Sequence, residues 1–123
     1  MKKSQERKQN KNMEEKIKIG ILFGIYGELL TKKQYELLND YYNNDLSLSE
    51  IAENNNITRQ AVNDVINKGK NKLIEIEEKL CFLKKMLNQE KQIKKIINEL
   101  EKVENETNKI EIQSIKKRLE QLI

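Results

Sequence analysis

From Ile17 to Leu73 apolar residues return every three or four positions, with short polar stretches between, and that rhythm predicts a succession of helices rather than strands. Between Glu14 and Leu30 the stripe Ile17, Ile21, Leu22, Ile25, Tyr26 and Leu29 predicts a first helix with a broad buried face. Gly20 and Gly24 lie one turn apart, with Gly27 following, and are expected to let a neighbouring helix approach closely. Thr31 and Gln34 have the spacing of a capping box, so a second helix begins there and runs to about Asn43. Its buried stripe is expected to be Tyr35, Leu38 and either Tyr41 or Tyr42. After a turn at Asn43, Asn44 and Asp45, the pair Ser47 and Glu50 repeats the capping spacing and starts a third helix. Asn54, Asn55 and Asn56 interrupt it, asparagine being the residue after glycine that best tolerates the left-handed backbone of a tight turn. Thr58 then caps a fourth helix. Ile51, Ala52, Ile57, Val62 and Val65 are apolar where two short helices crossing steeply must touch, and together these features read as a helix-turn-helix.

The chemistry lies on the other side of the fourth helix. With the buried direction set by Val62, Val65, Ile66 and Leu73, a turn of about 100° per residue places Gln60, Asp64, Asn67 and Asn71 opposite, flanked by Asn63 and Lys68. Asparagine and glutamine can donate to and accept from adenine, and Arg59 at the helix start reaches guanine or phosphate. The candidate nucleic-acid-binding set is therefore Thr58, Arg59, Gln60, Asn63, Asp64, Asn67 and Lys68. Asp64 pulls the other way, since a carboxylate accepts from cytosine N4 but repels phosphate. Residues 47–70 carry three basic and three acidic side chains, so this region brings no net charge to a phosphate backbone.

Residues 31–73 resemble the fourth region of sigma factors, a helix-turn-helix module. The wider segment from Ile19 to Leu83 resembles the YlxM family of small bacterial proteins. The elements that carry this are LLT at 29–31, Gln34, Tyr41 with Tyr42, Asp45, SLSEIAE at 47–53, TRQAVND at 58–64 and EEKL at 77–80. The resemblance implies an all-α, DNA-binding protein with a regulatory or accessory part in the signal recognition particle pathway, beside whose protein-subunit gene the family's genes typically sit. Double-stranded DNA, or the particle's protein or RNA, are the partners it implies. The chain departs from sigma modules in having Asn63 and Asp64 where arginine and glutamine are usual, Gln60 in place of an acid, and Asn55 in place of an apolar residue.

Beyond Lys70 the fourth helix is expected to continue through Leu73, Ile76 and Leu80 into a highly charged C-terminal half. There Phe82, Gln89, Ile96, Val103 and Ile110 interleave with Met86, Ile93, Leu100 and Thr107 in a 3-4 repeat, and seven of these nine positions are apolar. NETNK at 105–109 is expected to break the helix before a last one carrying Ile112, Ile115, Leu119 and Leu122. Self-association through the C-terminal helices, as a homodimer, is favoured over packing against the rest of the chain. The domain reading is a disordered basic arm at 1–12, a helix-turn-helix domain at 13–80 and an oligomerisation segment at 81–123.

Composition narrows this picture without redirecting it. Charged residues make up 36%, proline is absent, and the whole net charge of +4 resides in residues 1–12. Such an arm can track phosphates, but it reads first as a solubilising tail. Met13 is an alternative starting methionine. Cys81 is the single cysteine, expected as a small buried hydrophobe among Leu80, Phe82 and Leu83. Without histidine, a cysteine pair or a glycine-rich phosphate loop, the chain is expected to be no enzyme and to hold no cofactor or metal. The first helix has too short an apolar run to cross a bilayer, and the expected location is cytoplasmic.

Overall fold

In a computed structural model the chain is all-α, and the description covers the backbone of residues 2–123 and the side chains of residues 13–123. The side chains of the basic arm at 1–12 lie outside it. Six α-helices follow in order: α1 (Lys2–Tyr26), α2 (Lys32–Leu38), α3 (Leu48–Asn55), α4 (Arg59–Leu80), α5 (Phe82–Val103) and α6 (Lys109–Glu120). They divide into two compact units, Met1–Leu80 and Cys81–Ile123.

In the first unit the caps form as the spacing requires. Thr31 and Gln34 exchange side-chain and backbone hydrogen bonds at the start of α2, at 3.2 and 3.1 Å. Ser47 and Glu50 do the same for α3, both at 3.1 Å. The bonds from Ser47 hold the Glu50 carboxyl below its ordinary pKa of 4.5. A carboxyl held low in the folded state stabilises it fully above about 4.5, and that contribution fades as pH falls through the lower folded value. Ser47→Ala is expected to cost about 1 kcal/mol, read as a lower urea midpoint. Glu50→Gln is expected to remove part of the acid sensitivity, read from helical circular dichroism between pH 5 and roughly 2.

The core forms where α1, α2 and α3 pack on α4. It holds Ile19, Leu22, Phe23, Tyr26, Leu37, Leu38, Ile51, Ala52, Val62, Ile66 and Leu73. Leu22 and Tyr26 are buried as the stripe predicts, but the rest of it is corrected. Ile19 and Phe23 join them facing inward, whereas Ile17, Ile21 and Leu29 are 58%, 45% and 57% exposed. This stretch of α1 is apolar on two faces, so periodicity alone admits two buried directions. The error carries over to the glycines, because Gly20 and Gly24 have nothing within 4 Å of where a Cβ would lie. The close approaches occur at Gly27, against the rings of Phe23 and Tyr35 at 3.3 Å, and at Gly69 in the middle of α4. A methyl on Gly69 would sit 2.7 Å from Leu38 Cδ1, so the α2–α4 contact needs a residue without a side chain there.

The α2 region ends earlier than its apolar pattern suggests. The α-helix stops at Leu38, and Asn39–Asn43 continue as one wider turn closed by a hydrogen bond from Asn44 N–H to Asn39 O at 3.1 Å. Leu38 is buried as expected, with Leu37 beside it, whereas Tyr35 is exposed; beyond Leu38 the wider turn shifts the register and leaves Tyr41 and Tyr42 half-buried. Burial, reinforced by Tyr41 and Glu15, pushes the Tyr42 phenol up to about 12. Elsewhere the Tyr26 hydroxyl donates to Glu77 Oε1 at 2.8 Å and ties the end of α1 to the distal part of α4.

In the second unit α5 and α6 pack as a helical hairpin. Asn105 and Asn108 organise the turn between them: Asn108 Oδ1 accepts from Asn105 N–H at 2.7 Å, and Asn108 Nδ2 donates to Val103 O at 3.0 Å. Lys116 pairs with Glu101 at 3.3 Å across the hairpin. The fourth helix does not run on into this unit. It ends at Leu80, and Cys81 takes a left-handed conformation with φ 53°. No glycine, proline or asparagine marks that break, which is why the apolar repeat reads through it. Cys81 is also part-exposed rather than buried.

Candidate nucleic-acid interface

The turn between α3 and α4 comprises Asn56, Ile57 and Thr58, shorter than the run of three asparagines suggests. Asn54 and Asn55 remain helical. Asn56 alone takes the left-handed conformation, with φ 54° and ψ 40°. It closes a Schellman motif in which Ile57 N–H donates to Ala52 O at 3.1 Å and Asn56 N–H to Glu53 O at 3.4 Å. Asn55, the departure from the sigma pattern, has a local role: its amide donates to Ile51 O at 2.7 Å and secures the end of α3. Nothing in the sequence points to that bond.

Thr58 then starts α4. Its hydroxyl accepts from Ala61 N–H at 3.0 Å, while Val62 N–H donates to Thr58 O at 3.1 Å. The threonine is thus occupied as a cap and positions the residues that follow. Ile51, Ala52, Val62 and Ile66 are buried between the two helices and set their crossing. This turns the first polar residues of α4 outward.

Arg59, Gln60 and Asn63 line one open depression together with Leu48 from the start of α3. Leu48 has no polar chemistry to mark it in the sequence as a site residue; as the first residue of a capped helix it lies where α3 faces the beginning of α4. Arg59 and Gln60 are exposed and Asn63 is half-buried. Gln60 also donates from Nε2 to Asp64 Oδ1 at 3.1 Å, one turn along. Part of the hydrogen-bonding capacity of Asp64 is therefore satisfied within the helix, and the Gln60 amide is oriented with its carbonyl oxygen still available as an acceptor.

Asp64, Asn67 and Lys68 are exposed further along α4. At about 100° per residue they continue the polar face around the helix, Lys68 lying nearly opposite Arg59 across that face. The six candidates after the cap therefore form a polar arc about 14 Å long, counting 1.5 Å per residue from Arg59 to Lys68. Arg59, Gln60 and Asn63 converge at one end of it, and Asp64 joins them through Gln60. No acidic residue occupies the first turn of α4. The positive end of its dipole is thus uncompensated by side-chain charge there.

The arrangement can present donors and acceptors to base edges and one guanidinium to a guanine or phosphate. Among the described residues no group of three or more histidine, cysteine or carboxylate side chains is placed to hold a metal ion. No described helix is long and apolar enough to cross a membrane.

Comparison with known proteins gives a consistent picture. The model of the UPF0122 family, described as "Putative helix-turn-helix protein, YlxM / p13 like", matches residues 13–118. A UPF0122 protein of Clostridium kluyveri is 49% identical over 86 residues, covering 70% of this chain and 78% of the relative. One from Malacoplasma penetrans is 52% identical over 81 residues, covering 66% and 75%. One from Acetivibrio thermocellus is 40% identical over 111 residues, covering 90% of this chain and 95% of the relative.

Proposed function

The chain belongs to the YlxM/p13-like helix-turn-helix family, and from that membership we propose that it is a cytoplasmic DNA-binding regulator that acts by binding rather than catalysis. The N-terminal turns of α4 enter the major groove, and a homodimer formed through the C-terminal helices presents two of them. The observation that carries this reading is the convergence of Arg59, Gln60 and Asn63 on one open depression at the start of a helix held by the α3 turn. Recognition helices use that portion to touch base edges. Dimerisation answers the weak charge of the motif, because two recognition helices double the contacts available to a neutral surface. The test is enrichment of duplexes from a randomised pool by the purified chain. A recovered consensus supports the reading, and an unselected pool counts against it.

A second reading is favoured by one feature, the even balance of three basic and three acidic residues across 47–70. In it the helix-turn-helix is a scaffold, and the polar face of α4 docks on the protein or RNA of the signal recognition particle. Fold alone does not choose between these uses. Immobilised chain exposed separately to the particle's protein, its RNA and the duplex pool distinguishes them. Retention of a particle component with no duplex enrichment supports the scaffold.

A further inference from the structure

The unit Cys81–Ile123 buries only a few of its apolar side chains. Leu83, Ile93 and Ile112 are its buried side chains, whereas on α5 Phe82, Met86, Leu87, Ile96 and Val103 remain 51%, 47%, 55%, 43% and 58% exposed. A two-helix unit so close to the ~40 residues below which domains need outside support has too little core to stand alone. Three of these five are regularly spaced. Phe82, Gln89, Ile96 and Val103 recur every seven residues along one flank of α5, while Glu90, Ile93 and Ile97 turn toward the side that is more buried.

Beside the exposed stripe a second series recurs with the same period: Lys85, Gln92 and Glu99. Its ends carry opposite charges and its middle is neutral. That pattern becomes complementary to itself when reversed. We infer that α5 pairs with α5 of a second copy of this chain in antiparallel register, about a two-fold axis beside Gln92. Phe82 then packs on Val103 of the second copy and Gln89 on Ile96, and Lys85 meets Glu99 at both ends of the seam. A parallel pair sets the charged series against the flank of Leu83, Glu90 and Ile97 instead, where Glu90 is already paired to Lys94 at 3.0 Å. The stripe is ~30 Å long, enough to reach the low end of specific interfaces at roughly 1,000 Å² in all.

The inference rests on the self-association part of the reading above and not on its nucleic-acid part. It is tested without nucleic acid, by sedimentation of the full chain at roughly 1–100 μM. Lys85→Glu and Glu99→Lys are each expected to weaken the dimer about 3- to 10-fold, since two exposed pairs are lost per dimer. The double exchange is expected to restore wild-type association within about twofold, because the pairs re-form with signs reversed. Ile96→Glu is expected to give a monomer with helical circular dichroism retained. A wild-type chain that stays monomeric throughout, or a double exchange no better than the singles, overturns the inference. So does loss of the dimer with Ile17→Glu, on the exposed face of α1, when Ile96→Glu leaves it intact.

Discussion

Replacing Leu38 by alanine is expected to destabilise the helix-turn-helix unit by about 3–5 kcal/mol, the upper part of the range for a buried leucine. Leu38 is fully buried, and the residue it packs against on α4 is Gly69. On the α4 side the void left by the leucine meets Gly69, which has no side chain to relax into it, so the cavity closes poorly there. Against a typical total stability of about 5–15 kcal/mol that is a large fraction, and the melting temperature of the full chain is expected to fall by more than ~10 °C. The same geometry predicts a partial rescue. Gly69→Ala in the Leu38→Ala background puts a methyl into the void and adds up to about 1 kcal/mol of helix propensity. In the wild-type background that methyl meets Leu38 Cδ1 at 2.7 Å, and the gain is offset or reversed. Thermal and urea melts of the wild type and the three variants check the sign of the coupling. Equal effects of Gly69→Ala in both backgrounds would show that the two residues do not share one space.

Arg59→Ala is the substitution with the largest expected effect on binding, a loss of about 1–3 kcal/mol, or roughly 5- to 150-fold in affinity for a selected duplex. Arg59 is the single basic residue of the converging trio, so nothing nearby substitutes for its fork of donors. The opposite sign is expected at Asp64. Asp64→Asn keeps an oxygen to accept from Gln60 while removing a charge that repels phosphate, so non-specific affinity should rise as base discrimination falls. Fluorescence titration of selected and scrambled duplexes reads both changes.

Local chemistry with a fixed spacing is legible in the sequence. Thr31 with Gln34 and Ser47 with Glu50 cap helices because a side chain reaches a definite distance along the backbone. The outward set on α4 follows equally directly, since a helix with one apolar stripe has one solvent face. What is not legible has more than one solution of similar local merit. The α1 segment offers two apolar faces, and only packing against α2 and α4 selects Ile19, Leu22, Phe23 and Tyr26 over Ile17 and Ile21. The left-handed Cys81 has no punctuating residue, and the asparagines of the wider turn at Asn39–Asn43 do not distinguish it from an ordinary helical turn. Gly69 carries a signal, a glycine inside a long helix at a cost of about 1 kcal/mol relative to alanine, and that cost is explained by Leu38. At the candidate site, helical periodicity identifies the residues of the depression on α4 but not Leu48 on α3, nor the bond from Gln60 to Asp64.

Whether α4 reads duplex DNA is decided by selecting from a randomised duplex pool at two salt concentrations with the wild-type chain and with Arg59→Ala. A reading helix enriches a consensus at both salts, binds more weakly at the higher one, and loses sequence preference at the bases facing Arg59 when that side chain is removed. No enrichment by the wild-type chain, or the same sequences and affinities from both proteins, would contradict it.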